Sequence, residues 1–147
     1  MNAAVKSIVQ RNTVASAVIG AVLSPIPLID EVVLIPFYLL MAKKIAGKHE
    51  LGRGQVPWKP IARTTFNGLL ARAAVNVTVS YIPGVAAAAN AASAAALTAL
   101  LGSYVDDACK EPATAQPIGV KAIVGVLKDK LSAVAARRST SSPSHPA

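Results

Sequence analysis

The sequence predicts an all-α fold in which two apolar helical hairpins, each turned at an Ile-Pro, are followed by a C-terminal amphipathic helix. Composition is the first reason, because 53% of the 147 residues are hydrophobic and only 4% are aromatic, so Ala, Val, Leu and Ile dominate. Alanine is the best helix former and contributes little to sheets. The second reason is that Ile26-Pro27 and Ile82-Pro83 interrupt two apolar stretches, since proline disfavours helix in the residue before it.

The four hairpin helices follow from these breaks. The first hairpin joins helices from about Ala3 to Leu23 and from about Leu28 to Ala46, and Pro36 predicts a kink in the latter. The second hairpin joins helices from about Pro60 to Tyr81 and from about Val85 to Ala108. Proline is tolerated in the first turn of a helix, which favours Pro60 as a helix start.

The two hairpin turns are related by an internal repeat. A shift of 56 residues places Ser-Pro-Ile-Pro of the first turn on Ser-Tyr-Ile-Pro of the second. We expect Pro25 and Pro27 to turn the first hairpin, and Pro83 and Gly84 to turn the second. Each half of the chain therefore reads as an apolar helix, an Ile-Pro break and a second apolar helix.

Three regions are predicted along the chain: a double-hairpin domain over 1–110, a linker and amphipathic helix over 111–138, and a disordered tail over 139–147. The fifth helix has an apolar stripe suited to a membrane surface, to a partner helix or to the protein's own bundle. The stripe consists of Val120, Ile123, Val124, Leu127, Leu131 and Val134.

Long uncharged runs favour a membrane location. Only 15% of the residues are charged, against about 25% in an average soluble domain. No charged residue occurs from Ala73 to Val105, and the helix within that run is long enough to cross a hydrocarbon core. Ten of the 21 residues from Val85 to Val105 are alanine, however, so a soluble helix buried inside a bundle or an oligomer remains the alternative. Small residues also let helices pack closely in lipid.

A basic cluster between the hairpins predicts contact with anionic lipid. The formal net charge is +8, and the scarcity of aromatic residues argues against nucleic acid as the partner. Trp58 is placed to anchor at a membrane interface. The alternative is an ordinary solvated loop. The predicted lipid-contact residues are Lys43, Lys44, Lys48, Arg53, Trp58, Lys59 and Arg63.

Two carboxylates oppose simple insertion of the first hairpin. Asp30 and Glu31 follow its turn directly, and burying them in lipid is costly. Either the turn crosses the membrane and exposes them on the far side, or it lies in water or in protein.

No catalytic, cofactor or metal site is predicted. His49 and His145 stand alone in a loop and in the tail, which is a poor basis for metal ligation. Asp106 and Asp107 are adjacent, so on a helix they do not face each other as an acid–base pair, and they mark the end of the apolar run. Cys109 is the single cysteine and is expected to be a buried apolar residue. We therefore expect a protein that is not an enzyme.

Short motifs in both hairpins resemble the bacterial YcjF-like family of domains of unknown function. PIPLID at 25–30 and LMAKKIA at 40–46 are similar to its first half, and YIPGV at 81–85 and ALTALLG at 96–102 to its second. The resemblance covers about residues 14–108. It implies a helical protein of the inner membrane with a possible GTPase partner, although this chain has no GTPase domain and adds a fifth helix.

These observations favour a noncatalytic, membrane-associated helical protein that self-associates through small-residue helix faces as a homo-oligomer. The expected location is the membrane, at its inner or cytoplasmic face, with the cytoplasm as the alternative. A soluble helical adaptor or assembly subunit, whose apolar surface is covered by a partner, is the second hypothesis. A pore-forming or membrane-disrupting protein is the third.

Overall fold

The computed structural model describes residues 1–22, 29–52, 54–79 and 86–140, and within these ranges the only regular secondary structure is α-helix. This confirms the predicted all-α class. The predicted turn residues Pro25, Pro27, Pro83 and Gly84 lie outside the described residues. The helices in chain order are α1 (Ala3–Val22), α2 (Ile29–Ala46), α3 (Trp58–Val79), α4 (Ala86–Lys110) and α5 (Val120–Thr140).

Where the described residues show a helix end, it lies within about two residues of the predicted end. The backbone N–H of Val5 donates to Asn2 Oδ1 over 2.9 Å, which caps the start of α1. Helix α3 begins at Trp58, two residues before the predicted start, so Pro60 falls in its first turn, where backbone N–H groups have no partner within the helix. The first two residues of the predicted tail, 139 and 140, belong to α5.

Helix α4 lies at the centre of the bundle and contacts each of the other four helices. Its contact with α1 is the most extensive. Further contacts join α1 to α2, α2 to α3 and α3 to α5, whereas the described parts of α1 and α5 do not touch. The four outer helices therefore surround α4 in the order α1, α2, α3, α5, with an opening between α5 and α1.

The close packing of α1 on α4 depends on two glycines. A Cβ atom at Gly102 would lie 2.5 Å from Cγ2 of Val9, and one at Gly20 would lie 2.9 Å from the carbonyl oxygen of Asn90. Both distances are shorter than side chains tolerate, so only glycine fits at this spacing. Gly20 lies beside Asn90 and Val9 beside Gly102, so the two helices run antiparallel. The first helix of the chain thus packs mainly on the fourth.

Helix α5 packs against α3 and α4. The side chains of Ile123 and Leu127 are fully buried in the core, and those of Val120, Val124 and Leu131 pack against it. Of the three environments predicted for this apolar stripe, the structure selects the protein's own bundle.

Candidate lipid-contact surface

The predicted lipid-contact residues lie around the end of α2 and the start of α3. Lys43 and Lys44 occupy the last turn of α2 and are exposed, as is Lys48 in the following turn. Trp58 is the first residue of α3 and is 39% exposed. Lys59 and Arg63, in the first two turns of α3, are exposed too. Arg53 lies outside the described residues.

A buried carboxylate holds three parts of the chain together at this end of the bundle. The side chain of Asp106 is 2% exposed, and Lys110 Nζ lies 2.6 Å from its Oδ2. His49 Nε2 lies 2.9 Å from Oδ1, and the amino group of Met1 lies 3.6 Å from Oδ2. The start of α1, the turn after α2 and the end of α4 therefore meet here. We call this end the base, defined by Met1, His49, Asp106 and Lys110.

The environment of Asp106 favours its ionised form. Burial alone would raise the pKa of this carboxyl, but the hydrogen bonds from Lys110 and His49 outweigh burial and hold the pKa below its ordinary value. The structure pairs His49 with Asp106, a contact that the sequence did not predict, and it buries Asp106 at the end of the uncharged run. Helix α4 continues to Lys110, and both side chains belong to the base. The sequence does not show this contact, because 57 residues separate His49 from Asp106.

Cys109 lies next to the base and is buried, as the sequence predicted. Burial raises the pKa of this thiol, and the negative charge of Asp106 raises it further. A thiol of this kind stays protonated near neutral pH and is a poor nucleophile.

The outer face of α1 changes from basic to apolar with distance from the base. Val9, Gly20 and the residues between them at helical spacing face α4, so Val14, Val18 and Val22 point away from it. These three valines are strongly exposed, Val22 to 69%. Arg11, one turn nearer the base, is exposed as well.

The outer faces of α2 and α3 show the same change. On α2, exposed Lys43 and Lys44 precede a run of exposed apolar residues as the chain is followed back from the base. On α3, exposed Arg63 is followed by exposed apolar residues on the same face. We call these exposed residues of α1, α2 and α3 the apolar stripes. They comprise Val14, Val18 and Val22; Val32, Val33, Ile35, Leu39 and Leu40; and Phe66, Leu70 and Val77.

The change from basic to apolar occurs at nearly the same height on the three helices. Contacts along α4 give the relative heights, because Gly102 lies beside Val9 of α1 and Leu97 lies beside Gly68 of α3. At a rise of about 1.5 Å per residue, these contacts place Arg11 and Arg63 within roughly one helical turn of each other. Helix α2 ends at the base through His49. The bundle therefore has one basic end and a long apolar outer surface.

A polar network lies inside the apolar part of the bundle. Arg72 is fully buried, and its Nη2 donates to Asn90 Oδ1 over 2.6 Å. Asn76 Nδ2 donates to the same oxygen, and Asn90 Nδ2 donates to the carbonyl oxygen of Gly20 over 3.0 Å. Ser93 Oγ donates to Asn76 Oδ1. The network ties α1, α3 and α4 together. Sequence reasoning missed Arg72, although it stands immediately before the uncharged run.

A second polar contact joins α1 to α4. Thr98 Oγ1 donates to Ser16 Oγ over 2.6 Å and both residues are fully buried. Hydroxyl and amide groups that hydrogen-bond between closely spaced helices are typical of helix packing in lipid, and they also occur in soluble cores. Among the described polar residues of the uncharged run, Ser93 and Thr98 are buried and Asn76 and Asn90 are partly buried, whereas Thr78 and Ser103 are exposed.

Helix α4 is, among the described residues, the one helix long and apolar enough to cross a membrane. The buried central helix of a soluble bundle meets the same criterion, and α4 is surrounded by four helices. One face of α4, at the gap between α5 and α1, is not covered by the other described helices and consists of a row of mostly alanine residues. The row comprises Ala88, Ala92, Ala95, Ala99 and Ser103, which are partly or fully exposed.

The described part of the chain holds no group of three or more His, Cys, Asp or Glu residues that could bind a metal ion. Comparison with protein families, with curated proteins and with solved structures gives no match. Membership of the YcjF-like family, and with it a GTPase partner, stays a prediction from the motifs.

Proposed function

We propose that this chain is a noncatalytic, membrane-associated helical protein that binds anionic bilayers and self-associates. The observation that carries the proposal is the surface of α1, α2 and α3, where apolar stripes on all three helices share a basic end. Stripes of this kind on one helix are common in soluble proteins. Their repetition on three neighbouring helices, beside exposed cations at a shared end, fits a surface that meets acyl chains and anionic headgroups together.

The energetics of the apolar stripes support contact with lipid. Fully burying one Val, Leu, Ile or Phe side chain is worth about 1.5–3 kcal/mol. Val32 and Phe66 are 67% and 61% exposed, so most of this gain is still unrealised in the isolated chain. Transfer of the stripes into acyl chains would recover it. Each basic residue near an anionic surface adds about 1 kcal/mol.

Self-association is proposed through the open row of α4. Small side chains allow a second helix to approach closely, as α1 already does on a neighbouring face of α4. A second copy would cover the alanine row from Ala88 to Ser103, and α1 and α5 would flank the contact.

A soluble adaptor is the second candidate, and the central position of α4 favours it. The exposed charges of α5, at Lys121, Lys128, Asp129 and Lys130, also suit a surface in water. In this alternative a protein partner would cover the apolar stripes. The two candidates predict different behaviour when lipid is the only available surface.

Flotation with vesicles tests the proposal directly. The purified full chain is mixed with vesicles of anionic phospholipid or of phosphatidylcholine alone, and the bound fraction is measured after density-gradient centrifugation. We expect binding to the anionic vesicles that weakens with added salt. A soluble monomer that floats with neither kind of vesicle would contradict the proposal. Release of a trapped dye on binding would instead indicate a pore-forming protein.

A further inference from the structure

We infer that the protein enters a single leaflet on its side, through the layer formed by α1, α2 and α3, and that α4 does not cross the bilayer. The inference rests on the proposed function, because it specifies how the lipid-contact surface meets the membrane. Its occupant is one leaflet of anionic phospholipid, with acyl chains against the apolar stripes and phosphates against Arg11, Lys43 and Arg63 near the base.

The order of the helices around α4 gives the direction of entry. Helix α2 lies between α1 and α3, and all three turn their apolar stripes away from α4. Helix α5 contacts only α3 and α4 among the described helices, so it lies on the far side from α1 and α2. Its exposed residues include Lys121, Lys128, Asp129 and Lys130. One side of the bundle therefore carries the apolar stripes with basic residues at one end, and the other side carries the charged residues of α5 beside the alanine row of α4.

The length of the stripes fits an interfacial position. From Val14 to Val22 and from Val32 to Leu40 the rise is about 12 Å, and from Phe66 to Val77 it is about 17 Å. A hydrocarbon core is about 30 Å thick, so the stripes are too short to cross it. Amphipathic helices that lie in the plane of the interface bury their apolar face by about 5–10 Å. Arg11, Lys43 and Arg63, at the basic end of the layer, then meet the phosphates beside the apolar stripes.

Entry along the helix axes is disfavoured by the first turn of α2. That turn contains Asp30 and Glu31 and lies at the end of α2 opposite the base. Entry by this end would carry the turn towards the bilayer centre, where carboxylates are costly. Side-on entry keeps both ends of α2 near the headgroups. In this orientation the first turn of α2, with its two carboxylates, stays near the headgroups while the apolar residues that follow it contact acyl chains.

Depth-dependent quenching in bound vesicles tests the inference. Cys109 is the only cysteine and is buried, so C109A gives a background for single cysteines labelled with a polarity-sensitive fluorophore. L39C reports α2, while V18C and L70C report the flanking helices. V126C, an exposed valine of α5, is the matched control. Phospholipids carrying a nitroxide at a shallow or a deep acyl carbon quench a label at the corresponding depth.

The side-on arrangement predicts that the emission of the label at L39C shifts to the blue and is strongly quenched by the shallow nitroxide. The labels at V18C and L70C should lose less fluorescence, and the label at V126C should lose none. Quenching of V126C equal to that of L39C would overturn the inference, because the whole bundle would then lie in lipid. Vesicle binding with L39C left unquenched would overturn it too, and would leave the proposed function standing on surface charge alone. Absence of vesicle binding would contradict the proposed function itself.

Discussion

Removing the two lysines at the end of α2 should weaken vesicle binding without unfolding the protein. Lys43 and Lys44 are exposed and the described structure records no ion pair for either, so K43Q/K44Q should change the free energy of unfolding little. Each lysine near an anionic surface contributes about 1 kcal/mol, so the pair contributes about 2 kcal/mol. At 1.4 kcal/mol per tenfold change, the partition coefficient should fall by roughly 30-fold.

The matched control removes the same charge from the other side of the bundle. Lys121 and Lys128 are exposed on α5, which does not contact α1 or α2 in the described structure. K121Q/K128Q lowers the net charge by the same two units, yet should leave the partition coefficient almost unchanged. Both variants are titrated with vesicles of fixed anionic content at low and at physiological salt, and thermal unfolding checks their stability.

Two results would contradict a role for Lys43 and Lys44 in membrane binding. Equal weakening by the two double variants would mean that net charge, and not the position of Lys43 and Lys44, attracts the protein to the membrane. Unchanged binding of K43Q/K44Q would mean that the end of α2 does not approach lipid. A weakening that persists at high salt would point to altered folding, since screening should remove most of the electrostatic difference.

Three further predictions concern the bundle itself. G102A should lower the free energy of unfolding by about 1–2 kcal/mol in denaturant titrations, because overpacking against Val9 exceeds the gain in helix propensity. The same change in a V9A background should lower it by less. An equal loss in both backgrounds would contradict the close contact between Gly102 and Val9. R72A should lower the free energy of unfolding by about 3 kcal/mol or more, since it empties a buried site and breaks the hydrogen bond to Asn90. R63A, at an exposed site, should lower it by less than about 0.5 kcal/mol. Similar values for the two variants would contradict the buried network. The pKa of Asp106 is lowered by its hydrogen bonds, so its ionised form stabilises the fold above the unfolded pKa of about 3.9, and the contribution is lost as the pH falls through the lower folded pKa. The stability difference between the wild type and D106N should therefore shrink on acidification below about pH 4, and a difference independent of pH would exclude this role.

Much of the helical layout could be predicted, because helix formation here depends on local properties. Alanine content and proline position suffice to predict the four hairpin helices, and where the described residues show an end of one of them, it falls within about two residues of the expected end. The basic residues between α2 and α3 were also evident in sequence, and the structure places those it describes on the surface at the base end. These features need no knowledge of which helices touch.

The pairing of α1 with α4 could not be predicted in the same way. Alanine occurs on every side of α4, so the sequence of this helix does not show which face is buried. The choice depends on two distant glycines, Gly20 and Gly102, whose lack of a side chain matters only once Asn90 and Val9 lie opposite them. Close packing is a property of two surfaces together, and one helix alone does not specify it.

Composition, proline positions and charge pattern are enough to predict that this protein is all-α, alanine-rich and basic, with long uncharged helices and a cationic segment between them. The tertiary structure assigns which faces of those helices are buried and which are exposed. It buried Asp106 and Arg72 among partners distant in sequence, and it docked α5 on the bundle. It also turned the apolar faces of α1, α2 and α3 outward. The reason is that burial is assigned by non-local contacts, so a uniformly apolar helix acquires an inside and an outside only when its neighbours are in place.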